Sequence, residues 1–233
     1  MKYSPLILTF CATTCVSQAA ILIDDFTSGF NSLTSGQNVY YVTQANNALG
    51  GWRYVDHRFA FPSNPPVTTS LSGSNPGAFS ISADPSAFGF AALRWGGSTS
   101  SSSGSNQLAI SGFGGLGGID FATDGAFRVS YANNSFPSGP PSFEMRAWDT
   151  SGNLSATGFK FANSQSGSIQ FDVSEFAGTA NFSQINVLQL MVQAPGTSTI
   201  DITRVETVPE PATLAIIGSG ALLALRKRRR KSS

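Results

Sequence analysis

The chain has 233 residues and a formal net charge of +1, a balance that hides two unlike parts. From Ala20 to Val208, 189 residues hold seven cations against twelve acids, a net of −5, while six consecutive cations stand at Arg226 to Lys231. A body of this sign cannot displace counterions from a polyphosphate, so nucleic acid is excluded as its partner. Its length suits one domain with a sizeable core.

The first element is a leader. Met1-Lys2 supplies a short positive start, Leu6 to Val16 an apolar stretch of signal-peptide length, and Ser17-Gln18-Ala19 small residues at −3 and −1. Residues 1–19 therefore read as a helical signal peptide cut before Ala20, with a cut after Ala20 as the neighbouring choice. Cys11 and Cys15 do not follow the Leu-small-small triplet of a lipoprotein. They are the only cysteines of the chain, so the exported body folds without disulfides.

The body, residues 20–208, reads as β structure. Alternation at period two marks Phe127 to Tyr131, Ile169 to Val173 and Ile200 to Thr203. Further strands are expected at Ile21 to Phe26, Trp52 to Phe59, Phe79 to Ala83, Phe88 to Trp95, Phe143 to Trp148, Gly158 to Phe161 and Val187 to Gln193. Turn formers such as Ser63-Asn64-Pro65-Pro66, Pro137-Ser138-Gly139-Pro140-Pro141 and Ser151-Gly152-Asn153 separate them. No stretch of the body keeps a helical stripe over three turns. Short strands at this spacing predict an all-β fold, a single β-sandwich or jelly roll. The run from Phe143 to Trp148, then Asp149 to Asn153, Ile169 to Val173, and Val187 to Gln193 resembles the ending of secreted jelly-roll domains similar to carbohydrate-binding modules. Ile23-Asp24-Asp25-Phe26 is of the same kind. The resemblance implies the fold and hints at glycan binding.

The last element, residues 209–233, is Pro209-Glu210-Pro211, an apolar run from Ala212 to Leu225, six cations and two serines. The prolines end any strand arriving from upstream. Fourteen apolar residues reach about 21 Å as a helix, short of the ~30 Å hydrocarbon core. Length alone would allow a buried helix, but such a helix would not end in unpartnered cations. Bilayer thinning and snorkelling of Arg226 and Lys227 cover the mismatch, and the cations stay on the cytoplasmic side. This order resembles the PEP-CTERM sorting signal, through Pro209, Glu210 and Pro211, a helix containing Gly218 and Gly220, and Arg226, Lys227, Arg228, Arg229 and Arg230. The resemblance implies an exosortase-type membrane protease as partner, transient contact with the inner membrane, and a final place in the envelope, on the surface or in an exopolysaccharide matrix.

Candidate chemistry in the body is sparse. His57 is the only histidine, which excludes sites with two imidazoles and leaves one possible triad base. In a strand, Trp52, Tyr54, Asp56 and Arg58 share one face, and Arg53, Val55, His57 and Phe59 the other. Trp52 and Tyr54 flanked by Arg58 form a candidate sugar-stacking platform, and a ridge of exposed aromatics near Trp52, Trp95 or Trp148 would favour glycan binding. Adjacent Asp24 and Asp25 point to opposite faces and cannot act as an acid/base pair. Asp120 and Asp124, joined by Asp149 or Asp201, are candidate ligands of a structural Ca²⁺; no other cofactor is implied. Gly112-Phe113-Gly114-Gly115-Leu116-Gly117 matches a dinucleotide-binding string but runs into turn residues rather than a helix. The remaining acids stand beside Gly, Ser, Thr or Asn, where solvation keeps carboxyl groups ordinary. These features predict an exported surface protein without catalysis of its own. A glycan-binding module is the alternative, and a glycan-cleaving enzyme the third reading.

Overall fold

The computed structural model describes residues 19–28, 32–35, 39–59, 67–71, 77–83, 88–96 and 115–209. The expected signal-peptide helix, the C-terminal helix with its cations, Glu210, Pro211 and Gly218, and the serine run lie outside the described residues. Ala20–Pro209 forms one compact unit.

In chain order the strands are β1 (Leu22–Asp24), β2 (Ser32–Ser35), β3 (Val39–Gln44), β4 (Trp52–Phe59), β5 (Val67–Leu71), β6 (Phe79–Ala83), β7 (Gly89–Trp95) and β8 (Ala126–Ser135). They continue with β9 (Ser142–Asp149), β10 (Leu154–Ala156), β11 (Lys160–Phe161), β12 (Gly167–Asp172), β13 (Ala177–Gly178), β14 (Ile185–Ala194) and β15 (Thr199–Val208). They build two antiparallel sheets. The first has the order β12-β8-β15-β6-β5-β2, with β1 beside β15; the second has β13-β10-β9-β14-β7-β4-β3, with β11 beside β9. This is the expected all-β sandwich.

Two strands keep their predicted bounds, β4 and β6. Others shift: the strand expected at Gly158 begins at Lys160, and the one expected to reach Val173 stops at Asp172. There the chain makes one 3₁₀ turn, Val173–Glu175, closed by a capping box between Asp172 and Glu175.

The core lies between the sheets. Phe79, Ile81, Phe127, Val129, Phe171, Ile200 and Ile202 come from the first sheet, and Val55, Leu93, Trp95, Phe143, Met145, Leu188 and Leu190 from the second; all are fully buried. Burying a side chain of this size contributes roughly 1.5–3 kcal/mol. Rings interlock across the layers, with Tyr131 on β8 stacked 6.1 Å from Phe143 on β9. At one end Phe121, Phe127, Phe176 and Phe182 form a cluster of tilted and edge-to-face rings with centroids 4.9–6.5 Å apart. The glycine-rich string leads into no helix: Leu116 N–H donates to Asn186 O at 2.7 Å, and Ile119 bridges to Ile185.

Candidate functional site

Alternate residues of every strand leave the core, so each sheet has an outer face, and the two faces differ in kind. On the first sheet the outward residues include Ser80, Arg128, Ser130, Asp201, Arg204 and Glu206. Asp201 accepts from the Ser80 hydroxyl and from Asn133 Nδ2, the latter at 2.7 Å. Glu206 accepts from Arg128 Nε at 3.0 Å and Arg204 Nε at 2.6 Å. Among the described residues this face carries no aromatic ring.

The outer face of the second sheet combines rings with charges. Strand register sets Arg146, Gln189, Arg94 and Tyr54 in one row across β9, β14, β7 and β4, and Glu144, Met191, Ala92 and Asp56 in the next. The Arg94 guanidinium lies 5.5 Å from the ring of Tyr54 and 5.5 Å from that of Trp148, within cation–π reach of both. Arg146 donates to Glu144 through Nε at 2.8 Å and Nη2 at 3.1 Å. Arg94, Gln189, Glu144 and Trp148 are buried, whereas Trp52 is 40% and Phe161 56% exposed. The middle of the face is enclosed and its rim is open.

Trp52, Tyr54 and Asp56 share this face as the alternation of β4 requires, while Arg53 and Val55 are fully buried in the core. Arg58 occupies a register position opposite Phe90; its side chain and that of His57 lie outside the described residues. Of the ridge of exposed rings expected at Trp52, Trp95 or Trp148, only Trp52 is exposed; Trp148 shares this face but is buried, and Trp95 lies off it. Trp95 is fully buried, and its indole N–H donates to Asp24 Oδ2 at 2.7 Å. Arg94, Gln189 and the Arg146–Glu144 pair are additions that sequence reasoning missed. Their signal is phase: Arg94 follows inward Leu93 and precedes inward Trp95.

The acids correct the expectation of solvated turn carboxylates, since Asp24, Asp56, Asp124, Glu144, Asp149, Asp201 and Glu206 are all buried. A register shift in β1 leaves adjacent Ile23 and Asp24 both fully enclosed. Asp25, as expected, faces away and accepts from Thr27 N–H at 3.1 Å. Asp149 accepts from the backbone N–H groups of Ser151, Asn153 and Asn181 at 2.9–3.0 Å. Burial pushes its pKa up, but these bonds outweigh it and hold the carboxyl below the usual range. Asp149 and Asp201 are thus engaged in separate networks and do not join Asp120 and Asp124. Among the described residues no three His, Cys, Asp or Glu gather as a metal site. Nor is any helix there long and apolar enough to cross a membrane.

The fold and face define a jelly-roll β-sandwich with an aromatic, polar outer surface. The family profile of the PEP-CTERM protein-sorting motif matches residues 207–231, so the chain carries that motif at its C-terminal end. No curated protein matches the chain at a significant level. Among solved structures the body is similar to the family 11 carbohydrate-binding module of the cellulosomal cellulase Lic26A-Cel5E of Clostridium thermocellum. The identity is 10% and the TM-score 0.40, over 82% of this chain and 95% of that one. The solution structure of CtCBM11 is similar at 9% identity and a TM-score of 0.44, over 85% and 99%. An exo-beta-agarase is similar at 11% and 0.40, over 83% of this chain and 26% of that one. These likenesses concern the fold alone.

Proposed function

We propose that the protein is an exported glycan-binding module without catalysis of its own, sorted through its tail by an exosortase-type membrane protease. The observation that supports the ligand class is the contrast between the two outer faces. A sheet face that only meets water is served by Ser, Thr and alternating charges, as on the first sheet. The second sheet instead spends Trp52, Tyr54 and Trp148 on its non-core phase and interleaves them with Arg94, Gln189, Arg146 and Glu144. Rings stack on the apolar faces of sugars while amides and charges take the hydroxyl groups, the usual composition of a small-ligand surface.

Cleavage of a glycosidic bond needs two free carboxyl groups with distinct roles. On this face Glu144 is held by Arg146, which favours binding over turnover. The sorting motif and the negative charge of the body suit a protein of the cell envelope or the extracellular matrix, with exopolysaccharide as its ligand.

The test is affinity electrophoresis in gels containing neutral and acidic bacterial polysaccharides, with Trp148→Ala and Tyr54→Ala as variants. At least one polysaccharide should retard the parent protein. Each variant should lose roughly tenfold or more in affinity, as expected for removing a buried aromatic contact. Arg128→Ala, on the opposite sheet, should bind like the parent. Equal loss in all three variants, or no retardation in any gel, would overturn the assignment.

A further inference from the structure

Asp124 is a buried carboxylate without a counter-ion. It and Thr207 are fully enclosed, and its Oδ2 has no hydrogen-bond partner. Its Oδ1 accepts from the Thr207 hydroxyl at 3.2 Å. Among the described residues no cation pairs with it. The charge that acts on it is that of Asp120, exposed and of the same sign. Burial first, and then Asp120, push its pKa up against the pull of Thr207. An uncompensated buried carboxylate is expensive, and Arg128 and Arg204 are paired with Glu206, the residue before Thr207 on β15.

The group on the far side of Thr207 is the start of the body. Ile21 N–H donates to Thr207 Oγ1 at 2.8 Å, and Thr207 N–H returns a bond to Ile21 O at 2.9 Å. Ile21 and Ala20 are the two residues at which the sequence expects the exported chain to begin. A cut before Ile21 turns this nitrogen into an α-ammonium two hydrogen bonds from Asp124. A cut before Ala20 instead leaves the Ile21 nitrogen a neutral amide on Thr207 Oγ1 and puts the ammonium on an exposed residue, where it does not form the pair.

We propose that leader removal supplies the missing cation: a cut after Ala20 makes the new α-ammonium of Ile21 the partner of Asp124, bridged by Thr207. A peptide nitrogen in the unprocessed chain carries no charge, so the pair exists only after processing. Thr207 is also the first residue of the matched sorting motif. The processed start therefore fastens the strand from which the sorting tail departs. The ammonium's pKa is raised in the folded state, so its stabilisation is complete below the ordinary value of about 8 and is lost as pH rises through the raised one.

The experiment uses processed protein isolated after export. Intact mass fixes the first residue, NMR titration gives the α-amine pKa, and selective transamination converts that amine to a ketone. We expect an amine titrating above about 8 in the parent protein and at the ordinary value in Asp124→Asn. Transamination should lower Tm by about 5–10 °C in the parent and by less than about 2 °C in the variant. Thr207→Val, which keeps Asp124 but deletes the bridge, provides a second variant in which the amine pKa should fall. An ordinary amine pKa in the parent, an equal Tm loss in both proteins, or a chain starting elsewhere would overturn the proposal. So would a Ca²⁺-dependent rise in Tm that Asp124→Asn abolishes, since the carboxylate would then belong to a metal.

Discussion

Replacing Asp24 by Asn should unfold this protein at a much lower temperature, and the reason lies in what the carboxylate holds. Asp24 and Arg53 are both fully buried, and Arg53 Nε and Nη2 donate to the two carboxylate oxygens, the first at 2.6 Å. Trp95 Nε1 and Phe26 N–H donate to the same carboxylate at 2.7 and 2.9 Å. The guanidinium is closed in by the Phe26 ring at 4.8 Å and by Ser28 O at 3.1 Å. Asp24→Asn keeps the volume but removes the charge, leaving a buried cation with no anion at a cost of about 3–5 kcal/mol. At about 2–4 °C per kcal/mol for a chain of this size, Tm should fall by roughly 6–20 °C. Removing both charges is a different perturbation. Asp24→Leu with Arg53→Met should be less unstable than the sum of its singles, because the desolvation penalty of both ions disappears with them, yet stay below the parent, because the Trp95 indole N–H and Phe26 N–H lose their acceptor. Thermal and urea unfolding followed by circular dichroism at pH 7 measure the loss in Asp24→Asn and the coupling over the cycle of parent, Asp24→Leu, Arg53→Met and the double variant. A fall of less than about 2 °C for Asp24→Asn, or a double variant as unstable as the sum of the singles, would refute the reasoning.

Two further outcomes follow from other buried acids. Glu206 is raised by burial but lowered further by Arg128 and Arg204, and its net position is below the ordinary 4.5; its contribution should hold above that value and vanish as pH falls through the depressed one, so Glu206→Gln should flatten the acid limb of a Tm-versus-pH curve. Asp149→Ala should destabilise by about 2–3 kcal/mol by leaving buried N–H donors unpaired, and hydrogen exchange should show lost protection at Ser151, Asn153 and Asn181.

Strands were legible where apolar residues alternate, as in Phe79-Ser80-Ile81-Ser82-Ala83, because period two and burial on one face are the same fact. β2 and β5, with sequences Ser-Leu-Thr-Ser and Val-Thr-Thr-Ser-Leu, carry too few apolar residues for the pattern and became strands only by pairing with each other and with β6. β8 and β15 run to 10 residues each, longer than their alternation, because neighbours on both sides keep pairing through polar positions. The acids were misread for a related reason. Local composition says turn, but whether a carboxylate meets water depends on partners far along the chain, as Asp24 does on Arg53 and Trp95.

The outer face of the second sheet carries the same lesson one level up. Faces were assignable strand by strand, which placed Trp52 with Tyr54, but which tryptophan joined them depended on phase within other strands. In β9 the inward residues are Phe143, Met145 and Ala147, so Trp148 shares the polar phase with Glu144 and Arg146. In β7 the inward residues are Leu93 and Trp95, so Arg94 is left outside. A large ring on the polar phase of an amphipathic strand gains nothing from the core, and a ring on the apolar phase needs no ligand to explain it. By that criterion Trp148 and Tyr54 belong to the outer phase of the second sheet, whereas Trp95 belongs to the interior. The criterion needs only the strand bounds and the phase of each strand. It picks out rings on two strands of one sheet, β4 and β9, with β7 and β14 between them, and Arg94 on β7 then joins them, 40 residues from Tyr54 and 54 from Trp148 in sequence.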